Sequence, residues 1–345
     1  MPDFPYINAR VRAMRSRLLD EGRIEELLGA ATLDAFIHGL TNTPYGRDVQ
    51  EALSRFQGVE AVDAALARNF SATTQKIRNF ADGKPRRLIE ALLLRWDLAN
   101  LRAVLRGKHT GRSEEEIMAS VLPAGMLTEV ALRELARQPD IPAVAGTLDA
   151  LEHPFALPVA EGLRRYLDDK DLLGLEMEAG RYYAEHVLEV ARGSGHDETV
   201  LRELVQAEID ALNVKTAVKL VRLEEPLDLE GRRRFYIPGG AIVTEEVFLL
   251  LTDPPTAPQG WRALGAHGFP LGAPKDGDLT AFEKDLDQIL VRGTARMYLA
   301  DPLGIDVVVG YLALKYNEVA NLRLIARSKL LGIPRELVRR EMVVV

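Results

Sequence analysis

The 345-residue chain contains no cysteine. That absence excludes disulfides, thiol nucleophiles and cysteine-ligated metal centres, and it is compatible with a reducing compartment. Long apolar runs are missing as well. A membrane-spanning helix needs about 20 mostly apolar residues. The best candidates are 241–251, interrupted by Glu245 and Glu246, and the short run 307–314. The first residues, MPDFPYINARVRAM, lack the apolar stretch of a secretory signal. Any membrane association is therefore expected to run through a partner. There is no excess of positive charge: the formal net charge is −7, which argues against general nucleic-acid binding.

Catalytic motifs are also missing. The six histidines have no i, i+4 pair and no HExxH. No Gly-x-Ser-x-Gly elbow occurs. The segment Gly107-Lys-His-Thr-Gly111-Arg-Ser113 lacks the spacing and Gly-Lys-Ser/Thr ending of a phosphate loop, and it follows a helix. It reads as a helix end, with Gly107 as a candidate left-handed cap. No cofactor or metal site is expected.

What is present is a pattern that occurs three times. The copies are Asp97-Leu-Ala-Asn100-Leu-Arg102-Ala-Val-Leu-Arg106, Asp210-Ala-Leu-Asn213-Val-Lys215-Thr-Ala-Val-Lys219 and Glu318-Val-Ala-Asn321-Leu-Arg323-Leu-Ile-Ala-Arg327. Each is acid-x-x-Asn-aliphatic-base-x-x-x-base. The asparagines lie 113 and 108 positions apart, too far for a solenoid repeat of about 20–50 residues. The pattern predicts three domain-sized modules, 1–115, 116–228 and 229–345. A weaker acidic stretch precedes each copy, and its Glu60, Glu176 and Glu283 stand 40, 37 and 38 residues before the Asn.

Most of the chain reads as helix. Leu88, Leu92 and Trp96 recur at helical spacing in 88–106, and 201–223 and 307–331 have the same character, the last stopped by Gly332 and Pro334. The fold class expected is all-α. The Pro/Gly-rich run 252–277 is expected to be loop, and 235–243 is a candidate short strand.

On a helix, Asn100 and Asn321 share a face with apolar residues, and Asn213 lies on a mixed one. A buried amide must find partners, and backbone groups of a neighbouring segment are the expected ones. Two residues on, about 200° around the helix, Arg102 faces the other way and Arg106 follows it at i+4. Lys215 with Lys219, and Arg323 with Arg327, repeat this arrangement. A single such pair reads as a solvated face, but three make a candidate surface for an acidic partner. The N-terminal stretch 9–19 carries Arg10, Arg12, Arg15 and Arg17 with no acid before Asp20. It reads first as a solvated face, and otherwise as a contact for anionic lipid or an acidic partner.

Three stretches carry a family likeness: Tyr6-Ile-Asn8-Ala-Arg10-Val-Arg12, Leu92-Leu-Leu-Arg95-Trp-Asp97-Leu-Ala-Asn100-Leu-Arg102, and Glu318-Val-Ala-Asn321-Leu-Arg323. With them the chain resembles the C subunit of the archaeal and bacterial V-type (A-type) ATP synthases, whose eukaryotic counterpart is the d subunit of the vacuolar ATPase. The resemblance implies a helical funnel of three modules with pseudo-threefold symmetry. It implies a non-catalytic central-stalk socket, one copy per complex, between the D- and F-type shaft subunits and the membrane proteolipid ring on the cytoplasmic side. Such a socket transmits torque between ATP turnover and proton or sodium transport and binds no nucleotide. On that reading Arg102, Arg106, Lys215, Lys219, Arg323 and Arg327 are candidate shaft or ring contacts, while Asn100, Asn213 and Asn321 are structural. The alternative is a helical-repeat adaptor unrelated to rotary motors.

Overall fold

The computed structural model describes residues 3–275 and 278–345, and among them every regular element is a helix. Two compact units emerge. One comprises Met1–Pro139 with Thr294–Val345, and the other Asp140–Gly293.

The first unit holds α1 (Phe4–Arg15), α2 (Glu21–Gly29), α3 (Leu33–Thr41), α4 (Gly46–Leu53), α5 (Gly58–Phe80), α6 (Gly83–His109), α7 (Glu114–Met118) and α8 (Glu129–Arg137). In the second lie α9 (Ile141–Ala150), α10 (Ala156–Asp169), α11 (Leu172–Val190), α12 (His196–Leu220), α13 (Leu229–Arg233), α14 (Glu245–Leu251), α15 (Ala257–Ala266) and most of α16 (Leu279–Arg296). The chain then returns to the first unit through a 3₁₀ turn (Met297–Leu299), α17 (Asp306–Leu331) and α18 (Arg335–Glu341).

The long helices α6, α12 and α17 carry the three copies of the pattern. In the first unit α5 packs on α4 and α17. Its core joins Phe36, Tyr45 and Phe70 to Val319, Leu322 and Ile325 of α17. Phe70 also meets Trp96 edge-on, ring centres 5.3 Å apart. The core of the second unit gathers Val214, Ala217 and Val218 of α12 around Phe248, Leu264 and Phe282.

Several expectations need correction. Residues 235–243 form no strand, because the N–H groups of Ile237, Ala241, Ile242 and Val243 go to side chains of α12 and those of Phe235 and Tyr236 to carbonyls of α13. The Pro/Gly-rich run contains α15, since Pro258 falls in the first turn, where a missing N–H costs nothing. Gly107 does not cap α6. It is buried inside the helix, where a Cβ would lie 2.4 Å from Ile117, and the left-handed residue is Gly111 at φ +68°. The end of α17 fits the expectation, with Gly332 left-handed at φ +65° and Pro334 just beyond it.

Candidate functional site: three matched stations

Each Asn of the pattern is a two-pronged clamp on a segment 22 or 24 residues downstream. Asn100 donates from Nδ2 to the Leu122 carbonyl (2.7 Å) and accepts the Leu122 N–H at Oδ1 (2.7 Å). Asn213 does the same with Ile237, at 2.7 and 3.0 Å. Asn321 repeats it with Val343, at 2.9 and 3.3 Å. In the third copy Asn317 adds a bond to the same Val343 carbonyl (2.9 Å). Both halves of a primary amide are thus used on one backbone unit, which no other uncharged side chain of that size except Gln can do.

The acid three residues before each Asn holds a second stretch of backbone, just beyond the clamped one in the first two copies. Asp97 accepts the N–H groups of Met126 (2.6 Å) and Leu127 (2.9 Å). Asp210 accepts those of Ala241, Ile242 and Val243, at 3.0, 2.9 and 2.8 Å. The loops can come this close because Gly125 and Gly240 carry no Cβ. One added there would lie 2.1 and 2.0 Å from the respective carboxylate oxygen. Burial pushes the Asp210 carboxyl above the usual range, with the three backbone donors pulling the other way.

In the third copy the acid is Glu318, and its catch lies about 300 residues earlier. Glu318 accepts the Leu19 N–H (2.5 Å), the Tyr45 hydroxyl (2.6 Å) and the Lys315 ammonium (2.9 Å). Lys315 also donates to Tyr45 Oη at 2.7 Å. Burial lowers the Lys315 pKa, opposed by Glu318. It raises that of Tyr45 well above the usual range, reinforced by the Glu318 charge. Leu19, Leu127 and Val243 hold the same local position. Each precedes a helix N-cap, Asp20, Thr128 or Thr244, whose side chain accepts an N–H three residues on. Each cap is followed by a glutamate, Glu21, Glu129 or Glu245. This aliphatic-cap-Glu signature was present in the sequence.

The cation pairs reach into the next acidic helix. Lys215 and Lys219 of α12 pair with Asp287 and Glu283 of α16. Arg323 and Arg327 of α17 pair with Asp63 of α5, each at 3.2 Å. Asp63 and Glu283 belong to the weak acidic stretches that precede the Asn copies, and Asp287 lies just beyond one of them, although Asp63 rather than Glu60 makes the link. Charge that the sequence presents as a repeated basic face is therefore largely neutralised within the chain in these two copies. The inner members Lys215 and Arg323 are 20% and 26% exposed, whereas Lys219 and Arg327 are both 59% exposed. In the first copy Arg102 is half-buried and Arg106 exposed.

Elsewhere, His186 stacks on Tyr182 (5.6 Å), and burial lowers its pKa. Among the described residues no three His, Asp or Glu side chains gather as metal ligands, and no helix is long and apolar enough to cross a membrane.

The three stations define an all-helical scaffold whose polar motif residues hold the chain's own backbone. Comparison with known proteins gives the family. Residues 7–341 match the model of the ATP synthase (C/AC39) subunit, and the chain belongs to that family. It is 33% identical to the V-type ATP synthase C subunit of Thermus thermophilus, over 99% of this chain and 98% of that protein. Its identity with the V-type C subunit of Deinococcus radiodurans is 30%, over 99% and 92%. The A-type C subunit of Methanosarcina mazei is 27% identical, over 99% and 93%.

Proposed function

We propose that the chain is the non-catalytic central-stalk subunit of a rotary V/A-type ATP synthase. In this reading it is a socket that links the D- and F-type shaft subunits to the membrane proteolipid ring at the cytoplasmic face, one copy per complex. Torque passes through it between ATP turnover and proton or sodium transport. Three modules, close to 1–115, 116–228 and 229–345, form a pseudo-threefold funnel whose repeating frame is set by Leu19, Leu127 and Val243.

One observation carries this reading: the same cation-to-acid link is made twice, head to tail. The α12 pair meets α16, and the α17 pair meets α5. The second link joins the last module back to the first, as does Glu318 with Leu19. Like head-to-tail interfaces give either open filaments or closed rings. A link from last to first supports the ring, and a ring can encircle a shaft tip. Arg106, Lys219 and Arg327, the outer and exposed cations, remain the candidate partner contacts, because Lys215 and Arg323 are the more buried members of their pairs.

The test is removal of this chain from the complex. Shaft subunits and ring proteolipid should then fail to co-purify from solubilised membranes, and adding the chain back should restore their association. Association that persists without the chain would contradict the socket.

A further inference from the structure

The N-terminal arginines are not used by the three stations. α1 buries Phe4, Ile7, Asn8 and Val11 and leaves Arg10, Arg12 and Arg15 exposed. Asn8, Arg12 and Arg15 form one stripe at i, i+4 and i+7. At its start, Asn8 Nδ2 donates to the carbonyls of Pro302 (3.0 Å) and Gly304 (2.8 Å). Further along, the Arg12 and Arg15 guanidinium carbons lie 5.7 and 4.8 Å from the Tyr298 ring centre. Arg10 stands over the rings of Tyr6 (4.7 Å) and Phe80 (4.9 Å). Aromatic faces therefore hold these cations in place, and among the described residues no carboxylate neutralises them. The loop they border projects Leu299, 80% exposed, and Leu303, 63% exposed.

We infer that this patch of the first unit seats on an anionic lipid surface, with Leu299 and Leu303 entering the headgroup layer and Arg10, Arg12 and Arg15 meeting the phosphates. Two observations select a lipid over a protein. The leucines protrude from a turn instead of lining a groove, which suits a surface that yields. Arg10, Arg12 and Arg15 outnumber Asp301, the one acid of the loop, and make no ion pair among the described residues, which suits a field more than a set of matched contacts. The opposite end of α17 supplies the contrast. Leu330, Leu331 and Leu337 are exposed there too, but Arg335 and Arg339 pair with Glu25. The inference rests on the proposed stalk role and adds an orientation: the α17 N-terminal end is the one turned to the bilayer.

The test is flotation of the full chain with phosphatidylcholine vesicles, with and without phosphatidylglycerol. Binding is expected only with the anionic lipid and is expected to weaken as salt rises. Arg12→Gln with Arg15→Gln should weaken it about thirtyfold. Leu299→Ser with Leu303→Ser should weaken it while leaving the salt dependence, and Leu330→Ser with Leu331→Ser should leave it unchanged. Unaltered thermal melting shows that each variant folds. Equal binding to both vesicle types, no binding, or indifference to the arginine substitutions would overturn the inference. So would arginine variants that lose shaft and ring subunits while the unsubstituted chain ignores vesicles, which would make the patch a protein contact. Because vesicles contain no ATP synthase subunits, failure here leaves the socket reading to its own co-purification test.

Discussion

Glu318 accepts the backbone N–H of Leu19 at 2.5 Å, the bond that Asp97 makes with Leu127 and Asp210 makes with Val243. Two of these join neighbouring stretches of chain, and one joins residues almost a full sequence apart. Glu318→Ala would leave the Lys315 ammonium buried with a neutral hydroxyl as its remaining close partner. Breaking one side of a buried pair costs about 3–5 kcal/mol. Denaturant unfolding should show a loss of that order, and Glu318→Gln, which keeps an acceptor for Leu19 and Tyr45, should lose less. A loss under about 1 kcal/mol for the alanine variant would mean that the contact does not hold the first unit together.

The asparagine clamps should rank by burial. Asn213 and Asn100 are buried and Asn321 half-buried. Asn213→Ala strands both the N–H and the carbonyl of Ile237, at about 1–3 kcal/mol for each group left unsatisfied. Urea midpoints for the three alanine variants should fall in the order Asn213 and Asn100 first, Asn321 least. A larger shift for Asn321 would remove burial as the explanation.

Gly240→Ala should be destabilising by more than about 1 kcal/mol, the ordinary scale of a helix-interior glycine exchange, and in the opposite direction. Its Cβ would meet the Asp210 carboxylate at 2.0 Å. Gly265→Ala, with open space around its Cβ in the helical segment α15, should be neutral or stabilising. Thermal melts of the pair check this, and equal shifts would refute the close-approach argument.

The Asp210 pKa is raised by burial, so between the ordinary carboxylate range and that raised value the folded chain holds more protons than the unfolded one. Linkage then makes this group's stability contribution fall as pH rises through the window. Groups such as the half-buried Glu114, lowered by its bonds to Arg133 and Arg137, act with the opposite sign, so the readout is a difference. Stability of the parent minus that of Asp210→Asn should decline with pH across the window and be flat above it. A rising difference would reverse the assignment.

Exchanging Lys219 and Glu283 separates cohesion from docking. Exposed pairs are worth about 0–1 kcal/mol, so Lys219→Glu should scarcely alter stability. If Lys219 touches the shaft, shaft co-purification falls with Lys219→Glu and is not recovered when Glu283→Lys restores the internal pair. Recovery in the double variant would assign Lys219 to internal cohesion alone.

Much of the scaffold was legible in the chain because helical spacing around Leu88, Leu92 and Trp96 and the cap at Gly332 are local signals. The clamps were only half legible. Asn100, Asn213 and Asn321 stood out, but Leu122, Ile237 and Val343 are held by their backbone and so share no distinctive side chain. The carboxylates Asp97, Asp210 and Glu318 were visible as acids, while their catches were not, since one lies about 300 residues away. The cation faces looked free because nothing in a linear pattern sets Lys215 opposite Asp287 or Arg323 opposite Asp63. Helix α15 was hidden by Pro258 and Gly260, which read as loop until the proline falls in a first turn.

The proposed coupling of shaft to ring through this chain is read most directly from ATP-driven ion pumping by complexes reconstituted with and without it. ATP hydrolysis by the catalytic head is expected to continue without the chain while pumping stops, and adding the chain should restore pumping. Pumping at the full rate in its absence would contradict coupling through this chain.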